Sequence, residues 1–213
     1  MRVIAGSERG RRLLCPPGQR VRPTSDRVRE ALFDILQHRI PEARVLDLFA
    51  GTGALGIEAL SRGARQAVFV DDHPTSLATV RTNLERCGLT ARAQVLRADA
   101  VTYLRRPATQ DAPFDVIFAD PPYRWGGTSA LLGRISPALL APGGVVIYEH
   151  ARKEEPPEQV GNLKRVRQQR YGDTVLSFYC FKEAASASVP SGGGGGTEEK
   201  GKEGSHGDSS VPG

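Results

Sequence analysis

Two hydrophobic periods alternate along this chain. Short apolar runs rich in β-favouring residues cover 44–50, 67–71, 93–97, 114–119 and 145–148. Runs this short, with little polar alternation, predict strands buried on both faces of a parallel sheet. Between them the apolar residues fall three and four apart, the spacing of amphipathic helices. A helix is expected from a cap at Thr24 or Ser25, with Val28, Ala31, Leu32, Ile35 and Leu36 as its apolar stripe and Pro41 marking its end. Others are expected after the glycine loop at 51–56 to about 62, closed by Gly63; from Pro74 to about 87, stopped by Gly88; over 100–106; and over 128–140, broken by Pro142-Gly143-Gly144.

The two ends of the pattern differ from its middle. Residues 2–5 and 11–14 read as strand-like pieces flanking a hairpin loop at 6–10. Residues 15–23, rich in Pro and Gly, read as a basic surface loop. Near the other end, 166–170 and 174–181 are joined by only Tyr171-Gly172-Asp173, a connection short enough to require antiparallel pairing. The expectation is therefore an α/β fold: a doubly wound, Rossmann-like, mostly parallel sheet of seven strands, with an antiparallel edge hairpin and a small N-terminal β-hairpin extension. Three segments follow, a basic arm at 1–23, the main domain at 24–183 and a tail at 184–213. The tail collapses to Ala, Ser, Gly, Glu and Lys, with five consecutive glycines at 192–196, and is expected to be disordered.

Composition adds a partner and a compartment. The chain has 213 residues and a net charge of +5, unevenly placed. Residues 1–29 hold eight arginines against Glu8 and Asp26, whereas the tail is acidic. A basic arm beside a near-neutral body suggests a polyanion, with Arg2, Arg9, Arg11, Arg12, Arg20 and Arg22 as contacts, although solvated surface charge is the plainer alternative. Cys15, Cys87 and Cys180 are odd in number and far apart, so reduced thiols in a cytoplasmic protein are expected rather than a disulfide framework. Residues 1–10 carry no apolar core of a signal peptide, and no apolar run approaches the ~20 residues that span a bilayer, so no membrane partner is expected. The four histidines show no metal-ligand spacing, and no metal is expected.

The chemistry gathers where the strands end. Gly51-Thr52-Gly53-Ala54-Leu55-Gly56 matches G-x-G-x-x-G between a strand and a helix, the mark of a nucleotide-cofactor loop. Asp47 points negative charge towards that loop, which is awkward for a pyrophosphate and suits a cationic ligand such as S-adenosyl-L-methionine. Asp71 is placed to accept both ribose hydroxyls, and Asp99 to read an adenine amine, though Asp99 also fits a helix cap. The run at 114–119 ends in Asp120-Pro121-Pro122-Tyr123. Two prolines cannot continue a central strand, so the chain leaves the sheet at its carboxyl edge. There the Asp120 carboxylate and the Pro121 carbonyl can accept the two N–H bonds of an amine on a flat ring, and Tyr123 can stack on that ring. The bland alternative is a strand-ending Asp-Pro turn.

With these residues in view the chain resembles the class I S-adenosylmethionine-dependent methyltransferases. Within them it closely resembles the RsmD-type small-subunit ribosomal RNA (guanine-N2)-methyltransferases. The resemblance covers 1–183 and rests on RVIAG, RPTSDRVREALFDIL, DLFAGTGALGIEAL, VDDHP, RADA, DPPY and the LxPGG-type turn. It implies transfer of a methyl group to the exocyclic N2 of one guanine in 16S ribosomal RNA, within a small subunit or its late assembly intermediate. Asp120, Pro121, Pro122 and Tyr123 are then the catalytic set. Thr24, Arg27, Asp47, Phe49, Gly51, Gly53, Asp71, Asp99, Ala100 and Asp120 are the cofactor set, with Thr24 and Arg27 in a segment that closes the site. Asp71 stands where the family often has Glu. A monomer is expected. Three other readings stay open: an adenine-N6 methyltransferase on DNA or RNA, an NAD-dependent oxidoreductase suggested by the glycine loop, and a non-catalytic RNA-binding assembly factor.

Overall fold

The alternation of periods becomes one sheet with helices on both faces. A computed structural model describes residues 1–15, 26–105, 113–122 and 125–182. In chain order the elements are α1 (Asp26–Ile35), β1 (Arg44–Asp47), α2 (Ala54–Ser61), β2 (Gln66–Asp71), α3 (Pro74–Arg86), β3 (Ala93–Arg97), α4 (Ala100–Tyr103), β4 (Phe114–Ala119), α5 (Thr128–Leu132), β5 (Leu140–Ala151), β6 (Gln159–Val160), β7 (Leu163–Tyr171) and β8 (Thr174–Phe181). The strand order is β3-β2-β1-β4-β5-β8-β7-β6. β3 to β5 run parallel; β8, β7 and β6 are antiparallel additions.

Successive strand side chains point to opposite faces, so each strand feeds two cores. Val45, Phe69, Val116, Phe118 and Ile147 pack under α1, α2 and α3, whereas Leu46, Leu48, Val68, Ile117 and Tyr148 pack under α4 and α5. From β1 the chain winds outwards to β2 and β3, then returns to lay β4 on the other side of β1. The two directions part above β1 and β4, which opens a crevice at the carboxyl ends of those strands.

Several expectations need correction. The sheet has eight strands rather than seven, because the two-residue β6 adds to the edge of β7. The helix expected over 128–140 stops at Leu132, since Gly133 and Pro137 remove the side-chain support and the backbone donor that would extend it. β5 then starts at Leu140, not at Val145. Its pairing with β4 jumps from Phe114↔Leu140 to Val116↔Val145, so Pro142-Gly143-Gly144 is an irregularity inside the strand and not the turn before it. β1 ends at Asp47 rather than Ala50, although Leu48 N–H still donates to Phe118 O at 3.0 Å and Ala50 N–H to Val70 O at 3.0 Å. The helix expected over 100–106 stops at Tyr103, with Leu104 as its C-cap. The expected caps Thr24 and Ser25, the loop beyond Cys15 and the tail lie outside the described residues.

The N-terminal hairpin forms with one bridge, Arg2↔Arg12, flanked by Val3 N–H to Arg11 O at 2.9 Å and Leu13 N–H to Met1 O at 3.2 Å. Val3 and Leu13 turn inwards and join the core beside α1. The buried Glu58 carboxylate of α2 accepts the N–H groups of Ile4 at 2.8 Å and Ala5 at 3.0 Å. Ser61 Oγ donates to Ala5 O at 2.6 Å and accepts from Glu8 N–H at 3.0 Å. Gly6, at φ +84°, presses so closely on α2 that a Cβ there would lie 1.9 Å from Ser61 O.

Candidate active site

A cavity of about 620 Å³ occupies the crevice at the carboxyl ends of β1, β2, β3 and β4. Asp47, Phe49 and Gly51 reach it from the end of β1, Asp71 from β2, Asp99 and Ala100 from the start of α4, and Asp120, Pro121 and Pro122 from the end of β4. Nine predicted site residues therefore share one space. Gly53 stands just behind it as the N-cap of α2, at φ +79°. Arg27 is exposed on α1 and does not line the cavity. It lies two residues from Arg29, so helical geometry turns the two to different faces, and the cavity takes Arg29. Thr24, Tyr123, Arg20 and Arg22 lie outside the described residues. Arg2, Arg9, Arg11 and Arg12 are exposed on the hairpin, away from the cavity lining.

Each glycine of the loop has a physical reason. Gly51 and Gly53 adopt positive φ, +52° and +79°, which side chains resist. Gly56 faces Phe69 of β2, where a Cβ would sit 2.3 Å from the ring; its absence lets helix and strand touch. The turn is then held by acids. Gly56 N–H donates to Asp47 Oδ2 at 3.1 Å, and Gly51 N–H to Asp71 Oδ2 at 2.9 Å, while His73 N–H takes the other Asp71 oxygen at 2.9 Å. Asp99 caps α4, accepting Thr102 N–H at 2.8 Å through one oxygen. The cap and the cavity-facing position thus coexist in Asp99.

Asp47 is the least satisfied of these acids. It is 1 % exposed, and its Oδ1 has no hydrogen-bond partner among the described residues. Burial pushes its carboxyl up to about 7, only partly opposed by the Gly56 bond, and the nearby charge of Asp71 adds to the rise. A cation delivered into the cavity would complete it.

The far wall is aromatic and polar. The backbone N–H of Trp125 donates to Pro122 O at 3.0 Å, and the Trp125 ring meets Phe49 edge-on at 5.1 Å. On β5, His150 lines the cavity, but both ring nitrogens are engaged, with Ala151 O at 3.0 Å and Ser177 Oγ at 2.9 Å. The Ala151 carbonyl can only accept, so Nδ1 carries the proton, and burial pulls the ring's pKa down, keeping it neutral. Its role is structural. No group of three or more His, Cys, Asp or Glu suited to a metal occurs among the described residues, nor any helix there long and apolar enough to cross a membrane.

Sequence reasoning missed Arg29, Glu58 and Met1. Arg29 and Met1 line the cavity, and Glu58 pins the hairpin beside it. The signal for Glu58 was available, as the one charge in the otherwise apolar helix ALGIEALS. The signal for Arg29 was its place four residues before Phe33, on a buried face.

A doubly wound sheet with a glycine loop after β1, acids at the ends of β1 and β2 and the start of α4, and Asp-Pro-Pro after β4 is the arrangement of the class I methyltransferases. The chain belongs to the family described as Conserved hypothetical protein 95, matched over residues 1–180. It is 42% identical over 181 residues to the ribosomal RNA small subunit methyltransferase D of Escherichia coli (strain K12), covering 84% of this chain and 89% of that protein. To the protein of the same name from Haemophilus influenzae it is 34% identical over 181 residues, covering 84% and 93%. Among solved structures, yhhF from Escherichia coli superposes with a TM-score of 0.73 at 34% identity, over 84% of this chain and 96% of that one.

Proposed function

We propose that this chain transfers a methyl group from S-adenosyl-L-methionine to the exocyclic N2 of a guanine in 16S ribosomal RNA. The observation that carries the reading is that Asp120-Pro121-Pro122 opens into the same cavity as the half-satisfied Asp47 and the glycine loop. The relatives' names supply the class of RNA.

The residues present suit the cofactor. Asp47 offers a buried oxygen in want of a cation, and Asp71 and Asp99, which line the same cavity, would take the ribose hydroxyls and the adenine end, with the glycines keeping that wall free of side chains. When bound, S-adenosylmethionine supplies a methyl group already activated by its positive sulfur. The protein's task is then mainly alignment. Asp120 Oδ and Pro121 O accept the two N–H bonds of the guanine amine, which turns its lone pair out of the ring plane. As positive charge develops on that nitrogen, the Asp120 carboxylate stabilises it. No strong base is needed, because a methylated, cationic aryl amine gives up its proton readily. Tyr123 stacks on the base, which must leave its own stack at a cost of about a few kcal/mol.

In this reading the arm at 1–23 supplies phosphate contacts through Arg2, Arg9, Arg11, Arg12, Arg20 and Arg22, and Thr24 helps close the site over the cofactor. Residues 24–183 form the catalytic domain, which acts as a monomer on a small subunit or late assembly intermediate in the cytoplasm.

The test is incubation with isotope-labelled cofactor and unmethylated small subunits, followed by location of the label. Label on a guanine N2 of 16S RNA is the expected result; label on adenine N6 would move the assignment to the alternative amine. Asp120→Ala should remove transfer and leave the calorimetric affinity for S-adenosylhomocysteine within about threefold, whereas unchanged turnover in that variant would falsify the role of Asp120.

A further inference from the structure

β4 and β5 run parallel and in register up to Ala119↔Tyr148. The next residue on each strand is acidic, Asp120 after Ala119 and Glu149 after Tyr148. Neighbouring strands lie about 4.8 Å apart, and residues in register project to the same face. Asp120 and Glu149 both line the cavity that the buried Asp47 Oδ1, with no partner among the described residues, marks as a ligand site. Like charges side by side on a sheet are destabilising, so the fold by itself gains nothing from this juxtaposition.

The backbone at Glu149 is firmly held. β5 pairs with β8 there, Glu149↔Leu176, and with β4 one residue earlier. The two residues flanking Glu149 turn to the other face. On that face the Tyr148 hydroxyl bonds Thr128 Oγ1 at 2.6 Å and the His150 ring bonds Ser177 Oγ at 2.9 Å. Glu149 is thus a partly buried side chain on a rigid strand, the placement that gives a contact its precision. Glu154 and Asp173 line the cavity as well, but from beyond the end of β5 and from the turn before β8, outside the β4–β5 ladder.

We propose that Glu149 reads the base: its carboxylate accepts the N1–H of the guanine whose N2 amine is held by Asp120 and Pro121. This rests on the reading of the cavity as a site of guanine-N2 methylation and adds the residue that selects guanine. An ionised carboxylate can only accept hydrogen bonds. Among the RNA bases, guanine alone carries a ring N–H next to its exocyclic amine. The adenine amine is flanked by the N1 lone pair and, across C5, by that of N7; the cytosine amine is flanked by the N3 lone pair and a C–H. Either base, held by its amine at Asp120, would turn a lone pair or a C–H towards Glu149, where an N–H is needed. A site built to bond a substrate N–H rejects an analogue without it far more strongly than shape alone does. The transfer itself is unaltered: the methyl carbon passes from sulfur to N2, which then releases one proton to water.

The test uses small subunits reconstituted with 16S RNA that carries either guanine or 2-aminopurine at the position that takes the label. 2-Aminopurine keeps the amine on C2 but has a lone pair at N1. The unaltered chain should methylate guanine with a kcat/KM about a hundredfold higher than that for 2-aminopurine. In Glu149→Gln, whose amide can donate to N1 as well as accept from it, that ratio should fall to within about tenfold. Comparing the ratio between the two chains cancels the intrinsic difference between the amines. Affinity of the variant for S-adenosylhomocysteine should stay within about threefold of the unaltered chain's, which reports a folded protein with its cofactor wall intact. An undiminished ratio in Glu149→Gln, or equal turnover of the two bases by the unaltered chain, overturns the role of Glu149 and leaves guanine methylation standing. Absence of transfer to guanine by the unaltered chain overturns that reading and this one together. Should Glu149→Gln not fold, Glu149→Ala is read on the same ratio, and equal turnover by the unaltered chain overturns the proposal in either case.

Discussion

Two buried carboxylates, each 1 % exposed, sit eleven residues apart on either side of the glycine loop and are treated in opposite ways. Glu58 is saturated. It accepts two backbone N–H groups from the hairpin and the Arg62 Nε at 2.8 Å, and it faces Arg29 at 3.9 Å. Asp47 has a single bond, from Gly56, and an oxygen with none among the described residues. Burying a charge costs free energy unless partners replace the lost water, so the first arrangement is complete in the folded chain and the second is not. The contrast separates a group that holds the protein together from one that waits for a ligand.

The comparison is most easily broken at Glu58. Glu58→Gln keeps the shape but leaves Arg29 and Arg62 facing a neutral group, and removing one partner from a buried ion pair typically costs about 3–5 kcal/mol. Denaturant unfolding should show a loss of that size, with hydrogen exchange rising first at Ile4 and Ala5. A loss under about 1 kcal/mol would mean that Glu58 is not the structural acid.

Asp47 should behave in the reverse manner. Asp47→Asn retains an oxygen for Gly56 N–H and removes a poorly solvated charge, so stability at neutral pH should hold or rise, while affinity for S-adenosylhomocysteine falls about tenfold to a hundredfold. The raised pKa gives a second readout. With the folded carboxyl at about 7, above its unfolded value of 3.8, the native state holds the extra proton. That contribution to stability is therefore complete below about pH 4 and is lost as pH rises through about 7. Binding of an ammonium needs the ionised form, so affinity should rise by up to about tenfold from pH 6 to pH 8. Asp71 is the charged neighbour that shares in the shift. Both slopes should flatten in Asp47→Asn; a slope that persists there belongs to another group.

The same contrast explains what the sequence could and could not disclose. The strand–helix alternation, the glycine loop and Asp47, Asp71, Asp99 and Asp120 are local: each is fixed by a run, a turn or a strand end a few residues long, and all four acids reach one cavity. The saturation of Glu58 depends on residues more than fifty positions away, and the buried place of Arg29 on a hairpin that meets it through the Arg2 carbonyl. Nothing in a local pattern reports such partners. Boundaries failed where tertiary pairing overruled local rules. Pro142-Gly143-Gly144 reads as a strand breaker, yet β4 continues its pairing on both sides of it. β6 is two residues long and exists only because the edge of β7 is there to pair with.

The smallest expected effect on the fold, and the sharpest on the division of labour, lies on the outer side of the hairpin. Its inner side is consumed by Glu58, Ser61 and the core, while Arg9, Arg11 and Arg12 face solvent. Only Arg11 of these has a close acidic partner among the described residues, Glu8 at 3.2 Å, in an exposed pair worth at most about 1 kcal/mol. Replacing all three by Gln should therefore change unfolding free energy by no more than about 0.5 kcal/mol and leave cofactor affinity unmoved. Binding to small-subunit RNA should respond instead: each lost phosphate contact lowers the slope of log affinity against log salt by about 0.7 to 0.9, so the three together should flatten it by about two. Equal slopes for the altered and unaltered chains would place the RNA on another surface and leave the hairpin with the anchoring role alone.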